Sequence, residues 1–271
     1  MKITDYSYVR SFNDDDVFLI DGADGTRIIT VADAILAALH MSSVHNHRNF
    51  IRGKNLGNTL TTEQKAAIQT GSFDDLWLGD YWEINGVKWR IVDFDYWYGS
   101  GNVSFISHHL TIMPDEPLFT AAMNATSVTT GGYVSSQMKT SSLASAETIV
   151  TNAFGSALLS HREYLINEVT GEIPTAGGWY DSTVELPNEP MMYGSYISTV
   201  SDPGSKLHTN SKTQLALFSA APIYIRCETA QNYWLRDVAS ATAFASVSSF
   251  GAAHLMNAAN EAGVRPVFAI G

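Results

Sequence analysis

The sequence predicts an α+β protein, because helix and β-hairpin signals occur in the same chain. The clearest signal is Asn85-Gly86, which lies between the runs "YWEI" and "VKWRIVDF". A turn pair of this kind between aromatic and β-branched residues is typical of a hairpin. A helix signal begins at Thr61 or Thr62 and stops at Gly71, in keeping with cap preferences. The length of 271 residues suits one large domain, or one domain with a small appendage.

The N-terminal residues 1–45 are interpreted as a separate segment. Residues 17–20 and 27–30 are predicted to be two strands joined by the turn-forming stretch "DGADG", and residues 31–40 a short helix capped by Thr30. So small a hairpin and helix cannot bury much core alone. We therefore expect this segment to dock on a partner or on copies of itself.

The main domain is expected over residues 46–271. A third strand is predicted over residues 102–108, and helical spacing extends over residues 133–154. Residues 174–222 are rich in Gly, Pro, Ser and Asn, and so long an irregular stretch is usually functional or wrapped over a core. The run "PIYIRC", residues 222–227, is predicted to be a short strand, and the closing segment adds several more.

Composition restricts the classes of function. The formal net charge is −11, so the chain lacks the excess of positive charge with which a protein binds nucleic acid. No run of about 18 apolar residues is present to span a bilayer, and residues 1–6 lack the apolar core of a secretory signal. The single cysteine, Cys227, excludes an intrachain disulfide and a cysteine-rich zinc site. We expect it to be a buried, small hydrophobic residue.

Two groups of residues could suggest a metal, and neither is convincing. An acidic cluster lies in the N-terminal segment and comprises Asp14, Asp15, Asp16, Asp21 and Asp24. Its spacing does not match a calcium loop, and no glutamate closes it. His45 and His47 have no identifiable third ligand. We therefore predict no metal and no cofactor.

Catalytic motifs are equally sparse. No nucleophile elbow, phosphate-binding loop, dinucleotide fingerprint or zinc-protease motif is present. Glu185, Glu189 and Asp181 leave open a pair of carboxylates of the kind that glycosidases use. Chance pairs are common among 27 acidic residues, and we expect the protein not to be an enzyme.

Arg236 and Arg265 differ from ordinary surface charges, because each lies beside apolar residues in a strand-like setting. They could clasp a ligand. They could also be structural, bridging loop carbonyls or a carboxylate at a sheet edge. The structural interpretation is favoured, since the planar guanidinium is well suited to bidentate framework bonds.

The closing segment resembles a known module. Trp234-Leu235-Arg236, followed further along by Gly263-Val264-Arg265-Pro266, is similar to the end of the C-type-lectin-like module found in phage and bacterial proteins. The hairpin "YWEINGVKWRIVD" resembles an earlier strand pair of that module. The stretch "DDVFLIDGADGTRIITVADAILAAL" resembles short N-terminal pieces of phage tail and baseplate proteins.

The resemblance implies a phage or prophage receptor-binding protein. Its fold would be C-type-lectin-like, with mixed antiparallel sheets, two helices and long loops over residues 46–271. Residues 1–45 would attach it to other tail or baseplate proteins or serve oligomerisation, and a homotrimer is expected. Its partner would be a bacterial surface protein or glycan, with no nucleic acid and no membrane insertion. It would be located in the virion after assembly in the host cytoplasm. The alternatives are a tail-associated hydrolase of cell-wall or capsule glycan and a purely structural baseplate component.

Related receptor-binding proteins diversify their last segment through a retroelement that randomises adenines. Every residue from 239 to 255 is reachable from a randomised AAC codon. The resemblance implies a rigid framework of Trp234, Arg236, Phe244, Val247, Gly251, Gly263, Arg265 and Pro266. It implies ligand-binding display positions at Ala239, Ala243, Ser246, Ser248, Ser249, Phe250, Ala252 and His254. The alternative is that these small residues simply pack tightly under neighbouring strands.

The chain departs from the animal lectins and enzymes that share this module. "PNEP" at residues 187–190 is only partly similar to the calcium-dependent sugar-binding loop. "WLRD" at residues 234–237 lacks the central asparagine of the lectin strand. We therefore predict no calcium-dependent sugar binding. Formylglycine-generating enzymes resemble this module but use paired-cysteine or copper-thiolate chemistry, which a single cysteine does not support.

Overall fold

A computed structural model gives the fold of the chain. It describes residues 17–22, 25–30, 47–171, 173–199 and 213–271. The chain divides into two compact units, Met1–Asn46 and His47–Gly271. In the smaller unit, β1 (Val17–Gly22) pairs antiparallel with β2 (Gly25–Thr30), which confirms the two predicted strands. The helix expected over residues 31–40 lies outside the described residues.

The larger unit contains two sheets and a separate two-stranded ribbon. The first sheet is antiparallel and comprises β3 (Tyr81–Ile84), β4 (Val87–Phe94), β5 (Leu110–Pro114), β7 (Leu158–Leu159), β10 (Val184–Glu185) and β15 (Val267–Ile270). Its order is β10-β15-β5-β4-β3, and β7 also pairs with β15. The predicted Asn85-Gly86 turn joins β3 to β4, and both residues have positive φ, as a two-residue hairpin turn requires.

The second sheet holds most of the closing segment. It comprises β6 (Phe119–Ala122), β11 (Tyr233–Val238), β12 (Ala243–Val247), β13 (Ala253–Asn257) and β14 (Glu261–Val264). Its order is β13-β12-β11-β14-β6, with β11 and β14 parallel and the other pairs antiparallel. The ribbon consists of β8 (His161–Thr170) and β9 (Ile173–Ser182).

In the described part of the chain, helices are few and short. They are α1 (Thr62–Thr70), α2 (Leu143–Phe154), α3 (Glu189–Tyr193) and α4 (Ala216–Ala220), with a π-helical turn at Met138–Ser142 and 3₁₀ turns at Gly155–Ala157 and Pro222–Ile225. Thr61 caps α1 through a reciprocal bond with Gln64, and Gly71 ends the helix with φ of 70°. The predicted α+β class is confirmed.

Three local predictions are wrong. The segment 102–108 is a loop and not a strand, because positive φ at Gly99 and Gly101 turns the chain. The segment 222–227 begins as a 3₁₀ turn, since proline favours the first helical position. The described parts of the stretch 174–222, which are residues 174–199 and 213–222, are less irregular than expected.

The elements found within the stretch 174–222 and one further boundary complete these corrections. The segment predicted to be irregular contains most of β9, and also β10 and α3. Helical structure in the stretch 133–154 begins only at Met138.

Aromatic side chains join the elements of the core. Trp89 on β4 lies 5.7 Å from Phe154 of α2 and 5.6 Å from Phe268 of β15, measured between ring centroids. These edge-on contacts hold α2 against the first sheet. Trp234 on β11 is fully buried, and its indole N–H donates to the Ala121 carbonyl on β6 at 2.8 Å.

Candidate ligand-binding surface

The predicted framework residues hold the end of the chain in place. Trp234, Phe244 and Val247 have no exposed surface. Gly263 donates its N–H to the Asn232 carbonyl at 2.8 Å. A side chain at Gly263 would overlap the ring of Pro117, so only glycine fits this close approach.

The contacts of Arg265 are those of a structural residue. It is 2% exposed, and its guanidinium donates to the carbonyls of Pro114 (2.8 Å), Ile225 (2.9 Å) and Tyr224 (3.1 Å). Pro114 ends β5, and the other two acceptors lie in the 3₁₀ turn. Arg265 therefore ties the closing segment to two other parts of the domain, the arrangement that the structural interpretation predicts.

Arg236 pairs with a carboxylate that the sequence did not single out. Its Nη2 lies 3.0 Å from Glu163 Oε2 on the ribbon, and Trp97 Nε1 donates to the other oxygen at 2.8 Å. Burial by itself would raise the pKa of Glu163, but the charge of Arg236 and the neighbouring His161 lower that pKa to about 2. The pair is a buried, charge-assisted bond between β11 and β8.

The carboxylates proposed for glycosidase chemistry do not form an open pair. Glu185 and Glu189 have no exposed surface. Glu185 accepts from Tyr133 and Ser182 and lies against Lys139. Glu189 accepts backbone N–H groups from a three-residue turn, with nitrogen–oxygen distances of 2.8–3.1 Å.

Asp181, the third carboxylate considered, is exposed and bonds to Arg162 at 3.0 Å. Glu185 and Glu189, in contrast, each accept several donors inside the core, as buried polar groups usually do.

The predicted display positions differ in solvent exposure according to the strand or loop on which they lie. Phe250 is 87% exposed; Ala252 and His254 are also exposed, and Ala239, Ser248 and Ser249 are half-buried. Ala243 and Ser246 are buried, so the expectation that they face solvent is corrected. The physical reason is that β12 is an interior strand between β11 and β13. The alternative of close packing therefore applies to β12, while the loop and β13 remain accessible.

The turn between β12 and β13 has a backbone fixed by hydrogen bonds. Ser248 N–H donates to the Ala252 carbonyl and Gly251 N–H to the Ser248 carbonyl, both at 2.8 Å. Ser249 N–H donates to Asn232 Oδ1 at 2.7 Å, and the Tyr193 hydroxyl donates to the Gly251 carbonyl at 3.2 Å. The backbone is held while the side chains face outward.

We name the accessible part of this region the hairpin surface. It comprises Ser248, Ser249, Phe250, Ala252, His254 and Leu255. Leu255 was missed in the sequence, although it is 42% exposed. Its neighbour His254 is also exposed, and because successive side chains of a strand point to opposite faces, alternation along β13 gave no signal for it. Gly251 lies close to Arg226, which lines a neighbouring cleft of about 240 Å³. Ile223, 59% exposed, lines the same cleft.

Metal and thiol chemistry find no support in the described residues. No group of three or more His, Cys, Asp or Glu side chains there could hold a metal ion. His47 is buried, with Nδ1 2.7 Å from the Leu76 carbonyl, and His45 lies outside the described residues. Cys227 is buried as expected, and burial raises the pKa of its thiol to about 11. Within the described ranges, no helix has the length and apolar character needed to cross a bilayer.

Comparisons with protein-family models, with curated proteins and with solved structures find no match to this chain.

Proposed function

We propose that this chain is a receptor-binding protein of a phage or prophage tail or baseplate. Its hairpin surface would contact a protein or glycan on the bacterial cell. The observation that carries the proposal is the hairpin surface itself, in which a hydrogen-bonded turn presents a phenylalanine that is 87% exposed. A large aromatic side chain on a preorganised backbone suits binding, because little conformational freedom is lost on contact.

A C-type-lectin-like scaffold over residues 46–271 is part of this proposal. The motifs that resemble that module lie on paired strands: β3 with β4 in the first sheet, and β11 with β14 in the second. The short link between β14 and β15 carries the chain from the second sheet into the first. The framework residues at the link between β14 and β15 would hold the fold in place. The turn between β12 and β13 could then change its sequence without changing the fold.

One copy of the hairpin surface is expected to bind its ligand weakly. Apart from Phe250 and Leu255, its side chains are small or polar, and such residues supply little apolar area for a binding hot spot. A homotrimer attached to the virion through residues 1–45 would compensate by multivalent binding. The proposal includes no catalytic step, no metal and no cofactor.

Cell binding by matched variants tests the proposal. The full chain, labelled with a fluorophore, is incubated with cells of candidate host strains, and bound fluorescence is measured. Phe250→Ala is expected to lower the apparent affinity at least tenfold, since truncating a hot-spot aromatic side chain typically costs more than about 1.4 kcal/mol. Ile173→Ala, which trims another exposed apolar side chain (51% exposed), is the matched control and is expected to bind normally.

Two results would contradict the proposal. The first is cell binding that is unchanged by Phe250→Ala, which would favour a structural baseplate component. The second is release of soluble sugar from purified host cell wall, which would favour the hydrolase alternative.

A further inference from the structure

We propose that the bacterial receptor is a protein, and that an extended segment of it pairs with β13 as an added β-strand. This inference rests on the proposed function and names the class of ligand that the hairpin surface binds. β13 is the last strand in the order of the second sheet, and among the described strands it pairs only with β12. The side of β13 that faces away from β12 is here called the β13 edge.

Hydrogen bonds beside β13 show which of its residues face β12. In an antiparallel ladder, directly opposite residues alternate between pairs that exchange hydrogen bonds and pairs that do not. Ala258 N–H donates to the Thr242 carbonyl at 2.9 Å, and these two residues continue the β12–β13 register by one position beyond Asn257. In steps of two back along the strand, Met256 and His254 therefore also bond to β12.

Ala253 and Leu255 direct their backbone groups away from β12. Each presents one N–H and one C=O at the β13 edge, and no hydrogen bond to another described residue engages these four groups. Leu255 is 42% exposed, and His254 on the opposite face is also exposed. Both faces of the strand are therefore open to an approaching chain.

The β13 edge lacks the features with which proteins usually prevent strand addition. Those features are charged side chains, proline, a bulge or a covering segment. The strand sequence "AHLMN" contains no Asp, Glu, Lys, Arg or Pro, and five successive pairs join β13 to β12 without a change of register. The edge is therefore suited to pairing with another chain.

The outer edge of the first sheet is different, because an earlier segment of the chain covers it. Tyr81 on β3 donates its N–H to the Lys54 carbonyl at 3.0 Å, and its carbonyl accepts from Leu56 N–H at 2.8 Å. The outward backbone groups of Tyr81 are thus used within the fold, whereas those of Ala253 and Leu255 are not.

A second extended backbone is the ligand that matches the β13 edge. The free groups of Ala253 and Leu255 are about 6.8 Å apart along the strand, and another strand presents its own N–H and C=O groups at the same spacing. In strand addition, main-chain hydrogen bonds give affinity and alternate side chains give specificity. The exposed side chains of Leu255 and Phe250 favour an uncharged partner segment with β-branched or aromatic residues. A glycan has no regular row of amide groups.

Proline at the edge tests the proposal. Ala253→Pro removes an outward N–H without breaking a bond to β12, and edge strands tolerate proline for that reason. The full chain, labelled with a fluorophore, is added to cells of candidate host strains, and bound fluorescence is measured. We expect Ala253→Pro to bind at least tenfold more weakly than Ala253→Ser, which keeps the N–H. Leu255→Pro and Leu255→Ala form a second pair with the same expected difference, and thermal unfolding verifies that each variant is folded.

Two further measurements address the receptor and the free edge. Treatment of the cells with proteinase K is expected to abolish binding of the parent chain, whereas periodate oxidation of surface glycan is expected to leave it unchanged. Amide exchange is measured by NMR on the nitrogen-15 labelled full chain without cells. The amides of Ala253 and Leu255 are expected to exchange at least tenfold faster than that of His254, which bonds to β12.

The proposal is overturned if each proline variant binds as tightly as its partner, if binding survives proteinase K, or if the Ala253 and Leu255 amides exchange as slowly as that of His254. Self-association of the parent that Ala253→Pro abolishes would assign the edge to a second copy and would also overturn it. Weaker cell binding by Phe250→Ala alongside any of these results would leave the receptor-binding proposal intact. A parent chain that binds no host cell would contradict both proposals.

Discussion

Acid pH is expected to destabilise the larger unit through His109, a histidine that must stay neutral. Its side chain has no exposed surface. Nε2 lies 3.1 Å from the backbone N–H of Trp97, and Nδ1 lies 2.9 Å from the Ser107 carbonyl. Because a backbone N–H only donates and a carbonyl only accepts, Nδ1 carries the proton and Nε2 is the acceptor. A second proton would break the bond to Trp97.

The sign and size of the effect follow from the pKa of His109. Burial is the main cause that lowers this pKa, to about 3, whereas the unfolded chain has the ordinary value of about 6.5. Stability is therefore complete above about pH 6.5 and declines as the pH falls from there towards 3, since the unfolded chain binds the proton first. Between pH 8 and pH 5 this one group is expected to cost about 2 kcal/mol of unfolding free energy.

Urea unfolding followed by tryptophan fluorescence measures that difference. All six tryptophans lie in the unit His47–Gly271, so the signal reports that unit. His109→Gln retains an acceptor for Trp97 and does not titrate. We expect this variant to be less stable than the parent at pH 8, and to lose about 2 kcal/mol less between pH 8 and pH 5.

The control for this experiment is His254→Gln, which removes an exposed histidine. Its stability curve is expected to run parallel to that of the parent. Parallel curves for the parent and for His109→Gln would refute the reasoning, because they would mean that His109 takes up its proton equally in the folded and unfolded chain.

Three further predictions concern the Arg236–Glu163 pair, the close approach at Gly263 and the sequence variation of the closing segment. Glu163→Gln removes the carboxylate that bonds to the buried Arg236, leaving only the charges of Glu185 and Asp237 near it, and is expected to cost up to about 3–5 kcal/mol in urea unfolding. The exposed control Glu168→Gln should cost nothing measurable, and equal losses would contradict the role of the pair. Gly263→Ala forces a side chain into a proline ring and is expected to lower stability by about 1–3 kcal/mol, so an unchanged melting temperature would refute the steric argument. Deep sequencing of the locus is expected to show substitutions concentrated in codons 239–260, at accessible positions more than on β12, whereas uniform variation without a template copy would contradict diversification.

Local signals account for the elements that the sequence predicted well. The Asn85-Gly86 turn needs only positive φ at two neighbouring residues, and the flanking runs pair directly across it. The α1 helix is specified by Thr61, Gln64 and Gly71 within a single stretch. Such features depend on residues close together in the chain, so they can be identified before the fold is known.

The candidate site was only partly predictable. The resemblance predicted a framework around a variable segment, and of the residues given that role Trp234 and Arg265 are buried. It did not identify Glu163 as the partner of Arg236, because the two residues are separated by 73 positions.

The sequence by itself determined the α+β class, the first hairpin and the helix caps, because these follow from the preferences of neighbouring residues. Only the tertiary structure decided which small residues of the closing segment face solvent. Ser246 and His254 are directly opposite each other on paired strands, yet one is buried and the other exposed. The difference arises because β12 is enclosed by strands on both sides while β13 is an edge strand, and strand order is set by contacts between distant parts of the chain.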